Sequence, residues 1–511
     1  PLSRKKPIMK FYTDQQKHDV LDQPFAQIYR KINVLLTVGE LLMENGANTS
    51  YMIQQMHKAS AFMGIPKEYL SIHVTYTTLM INVSHEKHSY TSFRKTPKHG
   101  VNMTVVYAVT NVLWRALERN YSLESLEHAL AHIQQYPPSY SVPVKALASA
   151  AACGGFSILF GGTMASALMT IVCAFLGFMA RHLCFKNHIN PYVATMVATF
   201  VCMVSSYGFY KIIPDQSLVY TIISCTLFMI PGIPLINGII DIISDHFMAG
   251  VTRLMSTLLI MSSMSLGIAI MLQFNIDTTF FFAGIKPNYV LIEQLLAGFV
   301  AASLFAVIFN TPYRLLPYIG LGGIVCVGVR NILFIDVNLP LAAASFIGSA
   351  VSALLIARIT AYLKGSTTIM IIASVIPLIP GVLLYRFISD AFQFSTLSIN
   401  DIQAWLQVGI TSFLTVIGIA SGAAVPNILA DRTINRLRQA RIDSALKHRQ
   451  ELSEMTECSS RQDGYFVCRI PSKGKEFISS EAGPDSVREL VDQELNTAFS
   501  QLMEKNTPKD N

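Results

Sequence analysis

An apolar run that interrupts itself at Ile230-Pro231-Gly232-Ile233-Pro234 and closes on the carboxylates Asp241 and Asp245 occurs twice in this 511-residue chain. The second copy reads Ile379-Pro380-Gly381-Val382-Leu383, with Asp390 ten residues beyond Pro380 as Asp241 is beyond Pro231. The offset, 380 minus 231, is 149. The same 149 carries Pro191 onto Pro340, Arg181 onto Arg330, Phe160 onto Phe309 and Ser263 onto Ser412. A gap-free register of that length reads as a duplication. Proline removes a helix donor and clashes with the preceding turn, so each copy contains a membrane helix broken at depth. Backbone groups freed at such a break must line a cavity or find partners.

Composition places the repeats in a bilayer. Hydrophobic residues make up 51% of the chain and charged residues 14%, against about 25% charged in soluble domains. Apolar stretches long enough to cross about 30 Å of hydrocarbon fall at 144–162, 164–183, 191–210, 217–240 and 251–272, then at 289–310, 312–330, 339–360, 367–388 and 402–425. Five spans is an odd number, so tandem copies enter the membrane in opposite senses, the arrangement of many secondary transporters. The expected fold is an α-helical polytopic membrane protein of ten transmembrane helices, two inverted five-helix repeats behind a small N-terminal α/β domain. The expected boundaries are 1–140 for that domain, 141–275 and 286–425 for the repeats, and 426–511 for a basic helix and polar tail.

Charge sets the orientation. The net charge is +7, and Arg432, Arg436, Arg438, Arg441, Lys447 and Arg449 crowd behind the last span, the mark of a cytoplasmic flank. Inner loops would carry Arg181, Arg253 and Arg314 among others, and both termini are expected in the cytoplasm. This placement removes the case for a nucleic-acid partner. Six cysteines lie in or beside apolar spans, as small hydrophobes. Cys458 and Cys468 in the tail can pair, though a cytoplasmic tail argues for free thiols. The first thirty residues lack an apolar core, so no cleavable signal peptide is expected.

In the N-terminal region a helical apolar spacing runs from Phe25 to Leu42 and stops at Asn45-Gly46, a good C-cap pair. Thr49 or Ser50 can cap the next helix, 51–63. The β-branched stretch 71–83 reads as one strand, with 90–93 as its partner after a turn at 85–87. Helices follow at 101–119 and from Ser122 to Ile133. The tail offers a strand at 464–470 and an amphipathic segment at 486–503.

The run LLMENGANTSYMIQQMHKASAFMGI with its following strand, and the run IPGIPLINGIIDIISDHFMAGVTRL, resemble the threonine/serine exporter family in its fused form, over about residues 25–425. The resemblance implies export of small amino acids, threonine or serine, across the cytoplasmic (inner) membrane, or of dicarboxylates such as succinate, driven by protons. No cofactor is implied; the partners are a small-molecule substrate, protons, the lipid bilayer and, in one arrangement left open, further copies of the chain. The second copy departs from the first, with Leu383 for Pro234 and Arg386 for Asn237.

Several residues carry alternative roles. Asp241 and Asp390 are either proton-coupling groups, since a carboxylate in low dielectric can exchange protons near neutral pH, or charges at the membrane boundary. The breaks at Pro231-Gly232 and Pro380-Gly381 either offer helix-end dipoles and backbone groups to substrate or are structural kinks. Arg386 can meet a substrate carboxylate or pair with Asp390 four residues on; Asn237 can bind substrate or a neighbouring helix. Arg181 and Arg330 are gates or snorkelling anchors. Glu40 and Glu44 can face the pore entry or solvent. His85-x-x-His88 and His128-x-x-x-His132 lack a third ligand for a metal. Gly161-Gly162 and Gly320-x-Gly322-Gly323 fit close helix contacts better than phosphate loops. An intramembrane aspartic protease built on Asp241 and Asp390 is the rival from another class, yet neither aspartate sits in a Gly-x-Gly-Asp run.

Overall fold

A computed structural model describes residues 23–430 apart from 86–87, 97–99, 120–121, 136–137, 213–217, 273–289, 364–366 and 393–398, with residues 444 and 447 and three tail strands. The basic cluster beyond 430, Lys447 excepted, and the 486–503 segment lie outside the described residues.

The N-terminal domain packs four helices, α1 (Gln23–Glu44), α2 (Thr49–Phe62), α3 (Met103–Arg119) and α4 (Leu123–Gln134), with an antiparallel sheet of β1 (Leu70–Val74), β2 (Thr78–His85) and β3 (His88–Lys95). The apolar stripe of α1 buries Ile32, Leu35, Leu36 and Leu42 in one core with Leu79 and Ile81 of β2. The stretch 71–83, expected as a single strand, is a hairpin, in which Val74 pairs with Leu79 and Leu70 with Val83. Thr75 makes the turn: its amide donates to Thr78 O and its hydroxyl accepts from Thr78 N. Thirteen extended residues would span about 43 Å, too long for this sheet, so a β-branched run folds back on itself. Glu40, one of the two glutamates with alternative roles, pairs with Arg94 of β3 at 2.7 Å. In the tail, β4 (Glu457–Ser460), β5 (Phe466–Ile470) and β6 (Lys475–Ser479) form an antiparallel sheet whose register sets Cys458 opposite Cys468.

The membrane part follows the 149-residue offset element by element. The first copy is α5 (Val142–Leu159), α6 (Met164–Lys186), α7 (Pro191–Ile212), α8 (Leu218–Ser224), α9 (Gly232–Ile243) and α10 (Phe247–Leu272). The second is α11 (Leu291–Ile308), α12 (Leu316–Asn331), α13 (Leu341–Leu363), α14 (Thr367–Val375), α15 (Gly381–Phe392) and α16 (Ile399–Ala430). Among the described residues eight helices are long and apolar enough to cross a membrane, and two bent pairs, α8–α9 and α14–α15, raise the number to ten. Their bends are 64° and 66°. Both ends of α5 and α11, and of α9 and α15, differ by 149 (291 minus 142, 381 minus 232). The turn after the first span also repeats, with Gly161 at φ 96° and Asn310, 149 later, at φ 55°. Asn is among the few side chains that tolerate that left-handed region.

Many hydroxyls inside the spans bond back to the preceding turn, which satisfies them without water. The equivalent serines Ser263 and Ser412 both do so, to Leu259 O and Val408 O. Small residues let helices approach closely: a Cβ added to Gly323 would lie 2.6 Å from Gly298 O and from Ala302 Cβ. Helix α5 packs on its own counterpart α11, with Phe156 edge-on to Phe305, its equivalent by 149, at 5.4 Å. At one end of this pair Tyr140 Oη donates to Thr311 O, and at the other Gln294 Nε2 donates to Ile158 O. The two helices therefore run antiparallel. Across the copies, α10 packs on α15 and α16 on α9.

Candidate functional site

Each break is a tight turn followed by a fresh helix. Pro231 has φ −77° and ψ 66°, the inverse γ-turn, and the Gly232 N–H donates to Ile230 O at 2.8 Å. Gly381 donates to Ile379 O at the same 2.8 Å. The first glycine amide of α9 and α15 is thus used inside the turn rather than offered outward. The breaks face each other, and their contacts exchange under the 149 offset. A Cβ on Gly232 would meet Ile376 and Ile379, and one on Gly381 would meet Leu227 and Ile230; 376 minus 227 and 379 minus 230 are both 149. Where the two breaks touch, the surroundings are apolar.

The polar chemistry lies further along α9. Asn237 and Asp241 share one helix face, about 7.5 and 13.5 Å beyond Gly232 at 1.5 Å per residue, and both are 0% exposed. Arg253 of α10 stands opposite, its Nε 3.1 Å from Asp241 Oδ2. What covers these groups is the N-terminal domain. Thr49 donates its N–H to Asp241 Oδ1 and its hydroxyl to Oδ2, both at 2.9 Å. Arg253 Nη2 donates to Ala47 O at 2.9 Å, and Asn237 Nδ2 to Gly46 O at 3.0 Å. The guanidinium of Arg253 also lies 5.7 Å from the Tyr76 ring.

Local sequence shapes the loop that enters. Gly46 takes φ 90° and ends α1, as the Asn45-Gly46 pair implies. Asn48, not Thr49 or Ser50, caps α2, its Oδ1 accepting from the Tyr51 N–H. An Asx side chain reaches that amide from one residue earlier, which leaves the Thr49 hydroxyl free for Asp241. Asp241 then sits at the positive end of α2, between that helix end and Arg253.

The second copy is not equivalent. Asp390 pairs within its own helix, with Arg386 Nε at 3.7 Å, and the two side chains are 16% and 34% exposed. Nearby, Trp405 stacks on Phe387 at 4.9 Å and donates to its carbonyl. Arg181 falls in the helical register of the buried α6 residues Cys173, Ala174, Gly177 and Cys184, with its guanidinium 5.3 Å from the Phe185 ring. Arg330 follows Cys326 and Val327 on α12, and a Cβ on Gly348 would lie 3.3 Å from its Cβ. Among the described residues no three His, Cys, Asp or Glu side chains group to hold a metal.

A second footing ties the N-terminal domain to the other copy. The first amides of α3, Met103 and Thr104, donate to Phe309 O and Asn310 O at 2.9 and 3.0 Å, which satisfies orphan helix-end donors. The two footings adjoin, since Gly100 N donates to Glu44 O and Asn102 N to Asn45 O.

Sequence reasoning placed Asn237 and Asp241 at this level but missed Arg253, treated as a loop charge, and Thr49, treated as a cap. Arg253 is 4% exposed inside α10. The available signal was that Arg253 is the one charged residue in the apolar run Phe247–Leu272.

A family model described as a putative threonine/serine exporter matches residues 33–275, and one described as threonine/serine exporter, ThrE, matches 294–429. The threonine/serine exporter of Corynebacterium glutamicum is 23% identical over 431 residues, 81% of this chain and 84% of that protein. The probable succinate transporter subunit YjjP of Escherichia coli (strain K12) is 24% identical over 217 residues, 42% of this chain and 83% of that protein. Its counterpart in Klebsiella aerogenes is 22% identical over 214 residues, 42% of this chain and 81% of that protein. No solved structure gives a significant match.

Proposed function

Because the chain belongs to the threonine/serine exporter family, we propose that it is a secondary transporter that exports threonine and serine across the cytoplasmic membrane in exchange for protons. The observation that carries the reading is the pair of broken spans whose glycines and isoleucines contact one another reciprocally at a 149-residue offset. Two half-helices meeting at a pseudo-two-fold are the usual centre of a carrier that alternates its access. The antiparallel α5 and α11 support inversion of the repeats. In this reading the N-terminal domain and both termini are cytoplasmic, and the two copies occupy 141–275 and 286–425.

Asp241 and Asp390 are the proton-coupling carboxylates. Asn237, Arg386 and the turns at Pro231-Gly232 and Pro380-Gly381 line the substrate path, with Arg181 and Arg330 towards its opposite mouths. A dicarboxylate substrate is the second reading, favoured by the YjjP relatives named as probable succinate transporter subunits and by Arg386, whose guanidinium suits a carboxylate. Neither reading is enzymatic, and against the aspartic-protease alternative Asp241 and Asp390 have separate partners, Arg253 and Arg386, whereas an aspartic dyad shares one proton.

Uptake of labelled threonine, serine and succinate into inverted vesicles under an imposed pH gradient tests the reading. Gradient-dependent threonine or serine accumulation, lost in Asp241→Asn, is the expected outcome. Movement of succinate alone selects the second reading, and movement of none of the three overturns both.

A further inference from the structure

We propose that the loop 46–49 is a built-in mimic of the transported amino acid, seated in a substrate site formed by Asn237, Asp241 and Arg253. The proposal rests on the export reading and extends it to the site and its regulation. Asp241 grips Thr49 by two atoms, the backbone nitrogen and Oγ1. Those are the α-nitrogen and β-hydroxyl of a threonine residue, and a free threonine or serine presents the same pair on adjacent carbons. Across the site, Arg253 and Asn237 donate to the carbonyls of Ala47 and Gly46, on the amine side of Thr49, and these are donors that the carboxylate of a free amino acid takes over once the loop is displaced.

The site also holds more polar capacity than the loop fills. Asn237 Oδ1, on a side chain 0% exposed, accepts no hydrogen bond, and Arg253 Nε lies near Asp241 without hydrogen-bond geometry. Such buried groups are costly to leave unmade. A peptide amide has one N–H and a peptide carbonyl no charge; an ammonium has three N–H groups and a carboxylate two anionic oxygens. A free zwitterion therefore satisfies the spare acceptor with ammonium and the spare donor with carboxylate. The loop satisfies neither.

Free substrate and docked loop then compete for one site. With the loop seated, the N-terminal domain closes the path beside α9 while its second footing, on Phe309 and Asn310, holds it to the other copy. Threonine arriving from the domain's side displaces residues 46–49 and frees α9, so the carrier opens in response to its own cargo. Hydroxyl recognition by Asp241 selects threonine and serine over an isostere that lacks the hydroxyl.

The test uses the full chain in lipid nanodiscs, with L-threonine, L-serine and L-valine as probes, read by equilibrium binding and by amide exchange of residues 45–52. Threonine and serine are expected to speed exchange in 45–52, and valine to need at least about tenfold more, the worth of one buried charge-assisted hydrogen bond. Thr49→Val keeps the amide contact but removes the hydroxyl, and is expected to bind threonine about tenfold tighter, because the competitor is weakened. Thr49→Ser, which retains both groups, is expected to match the wild type. A loop that merely staples the domain predicts the reverse, with threonine affinity in Thr49→Val unchanged or lower. Threonine transport in vesicles together with equal binding by wild type and Thr49→Val, or with no change in exchange, overturns the mimic while leaving export standing. Absence of threonine and serine binding and transport overturns both.

Discussion

Replacing Arg253 by methionine removes the cation from the buried cluster while keeping an unbranched apolar side chain in α10. Its side chain is 5% exposed and that of Asp241 0%, so the carboxylate would be left without its counter-charge and without access to water. Breaking one partner of such a pair costs about 3–5 kcal/mol. Asp241 keeps two Thr49 donors, which sets the expectation at the lower end, about 3 kcal/mol. Arg253 also holds Ala47 O, so the loss falls on the docked loop first. At about 1.4 kcal/mol per tenfold, protection of residues 45–52 against amide exchange should drop roughly 100-fold, with α11 and α12 as unchanged internal references. Adding Asp241→Asn removes the orphaned charge and leaves an amide oxygen for Thr49. The double variant should recover most of the loss, as replacement of whole buried pairs usually does. Unchanged protection in Arg253→Met, or a double variant as exposed as the single, would refute the claim that the ion pair holds the N-terminal domain on the first copy.

Gly323→Ala should lower the thermal midpoint in detergent by an amount equivalent to about 1–3 kcal/mol, because the new methyl meets Gly298 O and Ala302. Gly208→Ala, which meets nothing within 4 Å, should leave the midpoint unchanged or slightly raised. In the N-terminal domain His57 is pushed down to about 4 by burial and then by Lys67. Its neutral form is favoured by the fold, so that stability is intact above pH 6.5 and is lost as pH falls from there towards 4. His57→Gln should flatten the acid limb of domain melting, and a parallel limb in the variant would exclude His57 as its cause.

Some elements were legible because their signal is local. Gly46 ends α1 and Ser122 caps α4, its hydroxyl accepting from Ser125 N, as their residue types imply. Two local readings failed for the same kind of reason, competition between neighbours. Asn48 took the cap from Thr49 because its side chain reaches the Tyr51 amide, and 71–83 folded into a hairpin because Thr75 can close a turn inside a β-branched run. The intrahelical pair Arg386–Asp390 follows from i,i+4 spacing. The loss of Arg386's counterpart in the first copy says nothing about what Asn237 meets there.

The one-dimensional pattern determined the membrane class, the apolar stretches, the two breaks and the 149-residue offset, since hydropathy, proline and arithmetic need no knowledge of neighbours. Tertiary structure alone decided that the breaks face each other through isoleucine and that Asp241 lies under the N-terminal domain, bound to a threonine 192 residues earlier and to an arginine twelve residues later. The physical reason is that a buried carboxylate must be paired, but the requirement does not name the partner. That choice belongs to the docking of a domain far away in the chain.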